Sequence, residues 1–219
     1  MVSSKIIKHI EDSFNKAKKE SSKLNDEVLD IKGLTSSKVK HFLNNICSID
    51  DCRYFEIGVY EGSTFCSAIY KNNLNAMAID NWSEQGIAPV REDIDWKVSD
   101  DPKSNFMKNA KKFRTNNKVR AYDKNCYDFN LGNFDYKVNV FFYDGSHDLF
   151  LQYNSLMYYN EIFDDTFILI VDDWNWQRNG IRQAIKDLKF NIVYEKEVFT
   201  SEEDLNDFWN GLGIFLLEK

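Results

Sequence analysis

The sequence is short of several things, and each shortage closes an option. Proline occurs 2 times and glycine 9 times in 219 residues, which rules out collagen-like and low-complexity chains. The 4 cysteines, Cys47, Cys52, Cys66 and Cys126, show no C-x-x-C spacing. That argues against a zinc knuckle or a disulfide frame and for reduced, partly buried thiols. No apolar run approaches the roughly 20 residues of a membrane span, and MVSSKIIKHIEDSF carries charge every few residues rather than the unbroken apolar stretch of a secretory signal. A cytoplasmic chain with no membrane partner is the expectation. Basic residues are also outnumbered: 28 Lys and Arg against 35 Asp and Glu give a net charge of −7, so no nucleic-acid partner is expected. The cluster Lys103, Lys108, Lys111, Lys112 and Arg114 reads as a solvated helix face.

What is present is a globular composition, 43% hydrophobic and 15% aromatic, at a length suited to one buried core. A single domain over 1–219 is expected, with a helical extension at 1–48 and the core at 49–219. The central stretch is CRYFEIGVYEGST, residues 52–64. Phe55, Ile57 and Val59 mark a strand, Glu56 stands near its end, and Gly58 and Gly62 bracket a turn into Ser63, Thr64 and an apolar helical run. A strand that turns at once into a helix while a ligand lies on its backbone needs residues without a Cβ. The open N–H groups of the helix then face the same crevice. The spacing is E-x-G-x-x-x-G, not the G-x-G-x-x-G of dinucleotide folds, which counts against a nicotinamide-dependent oxidoreductase.

Along the chain, strands and helices alternate. A helix over residues 4 to about 26 is a candidate lid or homo-oligomer contact, or an ordinary surface helix. Val39, Phe42, Leu43 and Ile46 predict a second helix, with its N-cap among Thr35 to Ser37. LNAMAID, KVRAYD, VNVFFYD and TFILIV read as strands ending at Asp80, Asp123, Asp144 and the pair Asp172 and Asp173. The helices between them are marked by Phe106, Ala110 and Phe113, then by Leu149, Tyr153 and Leu156, then by Ile181, Ala184 and Ile185. FNIVYEKEVF and GIFLLEK are too close for a crossover helix and are expected to be antiparallel neighbours. The whole predicts a Rossmann-like, doubly wound, mostly parallel seven-stranded sheet with its last strand antiparallel. The irregular stretch from Asn81 to Pro102 is long enough to be a substrate wall or lid.

Every predicted central strand ends in an acid, and in a parallel sheet these share one edge. Asp80, eighteen residues past Gly62, stands where a carboxylate accepts hydrogen bonds from a ribose diol, although a turn Asp would look the same. Asp144, Asp172 and Asp173 on neighbouring strands would repel one another unless protonated or bridged by a cation. Oxygen ligands favour Mg²⁺, Mn²⁺ or Ca²⁺ over zinc. His147, three residues past Asp144 in YDGSHD, is a candidate general base beside that site. Trp82, Trp174 and Trp176 are candidates for an acceptor wall, and Trp174 and Trp176 equally for core packing. Arg178 and Arg182 could bind an anionic acceptor or balance Asp172 and Asp173.

Taken together and in order, EIGVYEGST, AMAID, VFFYDGSHDLFLQY and LIVDDWNWQRNGIRQAI resemble class I S-adenosylmethionine-dependent methyltransferases, in particular the metal-dependent branch of macrocin-type sugar O-methyltransferases and cephalosporin-hydroxylase-like proteins. The resemblance covers roughly Val39 to Leu188. It implies that Glu56, Gly58, Gly62 and Ser63 surround the methionine and ribose parts of S-adenosylmethionine, that Asp80 holds the ribose hydroxyls and that Asp123 lies near the adenine. It implies a divalent metal, Mg²⁺ first, on Asp144, Asp172 and Asp173, with Asp144 and His147 at the catalytic centre. The expected activity is methyl transfer to a hydroxyl of a small molecule or sugar. The competing expectations are a metal-dependent hydrolase that uses the acidic edge alone and a non-catalytic cofactor-binding protein.

Overall fold

The computed structural model describes residues 2–83, 90–91, 96–176 and 178–219. Its centre is a seven-stranded sheet of β1 (Cys52–Ile57), β2 (Leu74–Asp80), β3 (Lys118–Asp123), β4 (Val138–Tyr143), β5 (Phe163–Val171), β6 (Asn191–Val198) and β7 (Leu212–Glu218). The spatial order is β3-β2-β1-β4-β5-β7-β6. The first five strands pair in parallel, and β7 enters between β5 and β6 antiparallel to both. The expected architecture, reversed last strand included, is the one found.

Strand alternation builds two cores. Tyr54 on β1, Ala76 and Ala78 on β2, Phe142 on β4, Ile170 on β5 and Ile214 on β7 point to one face; Phe55, Ile79, Phe141, Leu169 and Phe215 point to the other. Helices α1 (Val2–Ala17), α3 (Ser37–Ile46), α4 (Ser63–Ile69) and α5 (Pro102–Phe113) cover the first face. Helices α6 (Leu149–Tyr159) and α7 (Asn179–Asp187) cover the second. Near-continuous apolar strands are the signature of a sheet buried on both sides.

Local signals account for the helix boundaries. The Ser36 hydroxyl accepts from Val39 N at 3.3 Å and caps α3, and Asp101 accepts from Ser104 N at 2.9 Å, with Pro102 opening α5. The first helix stops at Ala17, short of the predicted 26. Glu20 takes a left-handed backbone (φ 49°) and Ser21 N returns to Lys16 O, which ends the helix in its polar run; Asp26–Leu29 then forms the short α2. Within the stretch from Asn81 to Pro102, Val90–Arg91 pairs antiparallel with Trp96–Lys97. Residues 84–89 and 92–95, Pro89 among them, lie outside the described residues. No helix among the described residues is long and apolar enough to cross a membrane.

Candidate active site

The carboxyl ends of β1, β2, β4 and β5 meet at one edge, as the sequence required, but the acids there have separate duties. Glu56 lies two residues beyond Tyr54 on the same face of β1 and points into the core under α4. Tyr54 Oη donates to its Oε2 at 2.6 Å and Thr64 Oγ1 to its Oε1 at 2.5 Å. It is fully buried, and burial pushes its pKa up to about 8, against the lowering effect of those two hydroxyls. Through these two bonds Glu56 supports the turn from beneath.

The two glycines also turn out to serve protein contacts. A Cβ on Gly58 (φ 82°) would stand 1.9 Å from the Asp144 carbonyl oxygen, and one on Gly62 (φ 87°) would meet the Phe106 ring at 3.0 Å and Cys66 Sγ at 3.2 Å. The bare Cα atoms let the β1 turn touch the end of β4 and let α4 start against α5. Ser63, expected beside the cofactor, is buried and donates to Ile31 O at 3.0 Å. Its hydroxyl thus ties the turn to the segment between α2 and α3, which is held from its other side by buried Lys40. The Lys40 ammonium donates to Leu29 O at 2.6 Å and Ile31 O at 3.0 Å, and burial pulls its pKa down to about 8.

Asp80 holds the turn after β1. Its Oδ2 accepts from Val59 N at 2.8 Å and Tyr60 N at 2.9 Å, and its Oδ1 from Trp82 N at 2.7 Å. It fixes the turn while staying half-buried at the strand end. Asp123, directly across from it on β3, is exposed and paired with Lys103 Nζ at 2.6 Å.

On the other side of β1, Asp144 is part-exposed, whereas Asp172 is buried with an Oδ1 that has no hydrogen-bond partner among the described residues. Burial raises both pKa values; Asp172 and Asp173 raise that of Asp144 further, and Asp173 that of Asp172. None of Glu56, Asp80, Asp144 and Asp172 is paired with a lysine or arginine among the described residues. Arg182, a candidate counter-charge, pairs with Glu197 at 3.0 Å instead, and Arg178 lies over the Phe199 ring.

Asp173, expected in the metal triad, is engaged by protein groups. Its backbone is left-handed (φ 50°), and its side chain meets His147 and Asn210: His147 Nε2 donates to Oδ2 at 2.9 Å and Asn210 Nδ2 to Oδ1 at 2.8 Å. No group of three His, Cys, Asp or Glu side chains among the described residues is placed to hold a metal ion. His147 itself is well positioned. The loop that carries it is pinned by Tyr143 Oη donating to Ser146 O (2.9 Å), by Gln152 Nε2 donating to His147 O (3.0 Å), and by Asp148 capping α6. The bond to Asp173 pushes its pKa above the ordinary 6.5. Trp176 is 44% exposed with its ring 5.6 Å from that of His147. Trp174 instead is buried against Gly213, and Trp82 donates through Nε1 to Tyr60 O. Sequence reasoning missed Tyr54 and Thr64 as the partners of Glu56. It missed Asn210 as well, whose only signal was an Asn-Gly turn before the last strand.

No protein-family description matches the sequence, and no curated protein does. Solved structures do. A Staphylococcus aureus protein assigned as a caffeoyl-CoA O-methyltransferase superposes with a TM-score of 0.56 at 11% identity, over 87% of this chain and 88% of that one. An SAH-bound methyltransferase of Podospora anserina gives 0.53 at 10% identity, over 100% and 94%. TrmN from Thermus thermophilus gives 0.55 at 10% identity over 88% of this chain, which spans only 52% of that protein. The backbone architecture is the one these structures share. At such identities the shared property is the backbone architecture, and the chemistry has to come from the residues.

Proposed function

We propose that this chain transfers a methyl group from S-adenosylmethionine to a hydroxyl of a small molecule or sugar. The observation that carries the reading is the His147–Asp173 pair, 2.9 Å apart, at the carboxyl edge of a methyltransferase fold. The acidic edge supports the cofactor: carboxylates without basic partners suit a ligand that carries a cationic sulfur, an ammonium group and a ribose diol.

When bound, S-adenosylmethionine supplies an electrophilic methyl group. Asp80 would accept from the ribose hydroxyls through Oδ1, which has one amide donor where Oδ2 has two. Asp123 would lie toward the adenine, one strand further out. The backbone of the turn from Gly58 to Gly62 would flank the methionine part, while Glu56 and Ser63 hold that turn in shape. Because Nε2–H of His147 is committed to Asp173, Nδ1 is the atom that takes the proton from the acceptor hydroxyl. The charge this puts on the ring is met by Asp173. Trp176 offers the acceptor a flat apolar face near the imidazole ring.

A metal-assisted variant has one observation in its favour, the unpartnered buried Oδ1 of Asp172. A divalent cation would take Asp144 and Asp172 as protein ligands, with Asp173 left to His147.

Calorimetric titration of S-adenosylmethionine with Mg²⁺, and again with chelator, tests the reading, with NAD as a control. Micromolar binding of the sulfonium cofactor and none of NAD is expected; failure of both to bind refutes it. Turnover that survives the chelator retains the reaction without metal, and turnover lost in chelator assigns Asp144 and Asp172 to a cation. Tight binding with no turnover on any diol or sugar acceptor would leave a binding protein.

A further inference from the structure

Asn210 lies in the connection between β6 and β7, far in sequence from every motif residue, and its side chain is buried. Nδ2 donates to Asp173 Oδ1 at 2.8 Å, while Oδ1 accepts from Glu203 N at 2.6 Å. Those partners fix which way the amide faces. A flipped amide would set an oxygen against the Asp173 carboxylate and an NH₂ against the Glu203 N–H, two repulsive contacts in place of two bonds.

The backbone is held as firmly. Asn210 O accepts from Asn175 N at 2.9 Å, and Gly211 O from Trp174 N at 3.3 Å. Asn175 reaches back, donating through Nδ2 to Thr200 O at 3.0 Å. Gly211 (φ 87°) permits this approach: a Cβ there would stand 2.4 Å from Val198 O and 2.9 Å from Asn175 Oδ1. The last hairpin is thereby fastened to the loop after β5, the loop in which Asp173 holds its left-handed backbone. A non-glycine residue keeps such a conformation only where its surroundings over-determine it.

We propose that Asn210 is a positioning residue for His147, acting through Asp173. By occupying Oδ1 it leaves Oδ2 turned to the imidazole. A carboxylate so fixed selects the tautomer with hydrogen on Nε2 and the lone pair on Nδ1. The inference deepens the methyl-transfer reading and rests on it for the reaction, but the geometry it asserts can be measured without turnover.

The test is ¹⁵N NMR of ring-labelled histidine, at a pH that leaves the imidazoles neutral. The chain has 3 histidines, and the His147 signals are those missing from the His147→Gln spectrum. The wild type is expected to show the Nε2–H tautomer of His147 alone. Asn210→Ala is expected to show a mixture of tautomers. Asn210→Leu, close to asparagine in volume, removes the donor to Asp173 without adding a second carboxyl; it carries the test if the alanine variant does not fold, and the same mixture is expected. In turnover, both variants should lose on the order of 10- to 100-fold in kcat, with KM for the acceptor and cofactor affinity within about 2-fold. A folded Asn210→Ala or Asn210→Leu that keeps a single Nε2–H tautomer overturns the proposal, whatever its activity. If the tautomer responds as expected but the wild type transfers no methyl group, the positioning role stands and the reaction assignment fails.

Discussion

Replacing Glu56 by glutamine should change the sign of its effect on stability with pH. In the unfolded chain a glutamate titrates near the ordinary 4.5, whereas in the folded protein burial pushes Glu56 up to about 8. Between those values the folded state holds a proton that the unfolded state has released, so stability falls as pH rises through the window. The slope is about 1.4 kcal/mol per pH unit and the full loss about 5 kcal/mol. The glutamine variant has no such dependence at this position. Its carbonyl can accept from one of the Tyr54 and Thr64 hydroxyls and its amide can donate to the other, leaving one amide hydrogen unpaired at about 1–3 kcal/mol. Wild type should be the more stable protein near pH 5 by roughly that amount, and Glu56→Gln the more stable one above pH 8 by about 2–4 kcal/mol. Urea denaturation of both proteins at a series of pH values gives the difference directly, and the other titrating groups cancel in it. Two curves that run parallel to within about 1 kcal/mol from pH 5 to 9 would show that Glu56 ionises normally in the fold, and the account of a neutral acid beneath the turn would be wrong.

Lys40 should show the opposite sign. Its pKa is pulled down to about 8 by burial, so the unfolded chain binds the extra proton above that value. The stability difference between wild type and Lys40→Met should move in favour of wild type by up to about 3 kcal/mol from about pH 8 toward about pH 10.5, in the same denaturation assay. His147→Ala should lower kcat by about 10²- to 10⁴-fold with cofactor affinity unchanged; lost cofactor binding in calorimetry would remove His147 from the role of base. The hydrogen bond to Asp173 raises the His147 pKa above 6.5, so the rate should climb with pH through a limb above that value, and Asp173→Asn should move the limb to lower pH. Gly58→Ala should cost more than about 3 kcal/mol, because a left-handed backbone and a carbonyl 1.9 Å from the new methyl act together; a melting temperature within a few degrees of wild type would contradict the close approach of β1 and β4.

Much of the fold was legible because it is written in short-range patterns. Alternating strands and helices, the Ser36 cap and the absence of a crossover between the last two strands required a doubly wound sheet with a reversed end. The acids fall at strand ends because a parallel sheet puts its turns there, so their shared edge followed from topology. The first helix was overextended, since the polar run after Ala17 carries no breaker other than a glutamate that adopts a left-handed turn.

The sequence by itself determined which residues could meet: Asp80, Asp144, His147, Asp172 and Asp173 at one edge of one sheet. Only the tertiary structure decided which way each side chain faces and what it touches. Tyr54 and Thr64 drew Glu56 into the core, Glu197 took Arg182 away from the acid pair, and Asn210, brought back by the reversed hairpin, turned Asp173 toward His147. Periodicity and spacing fix the backbone position of a residue. The partner of a buried polar group comes instead from whatever distant segment supplies the missing donor or acceptor, and an unpaired group is too costly for the fold to leave that choice open.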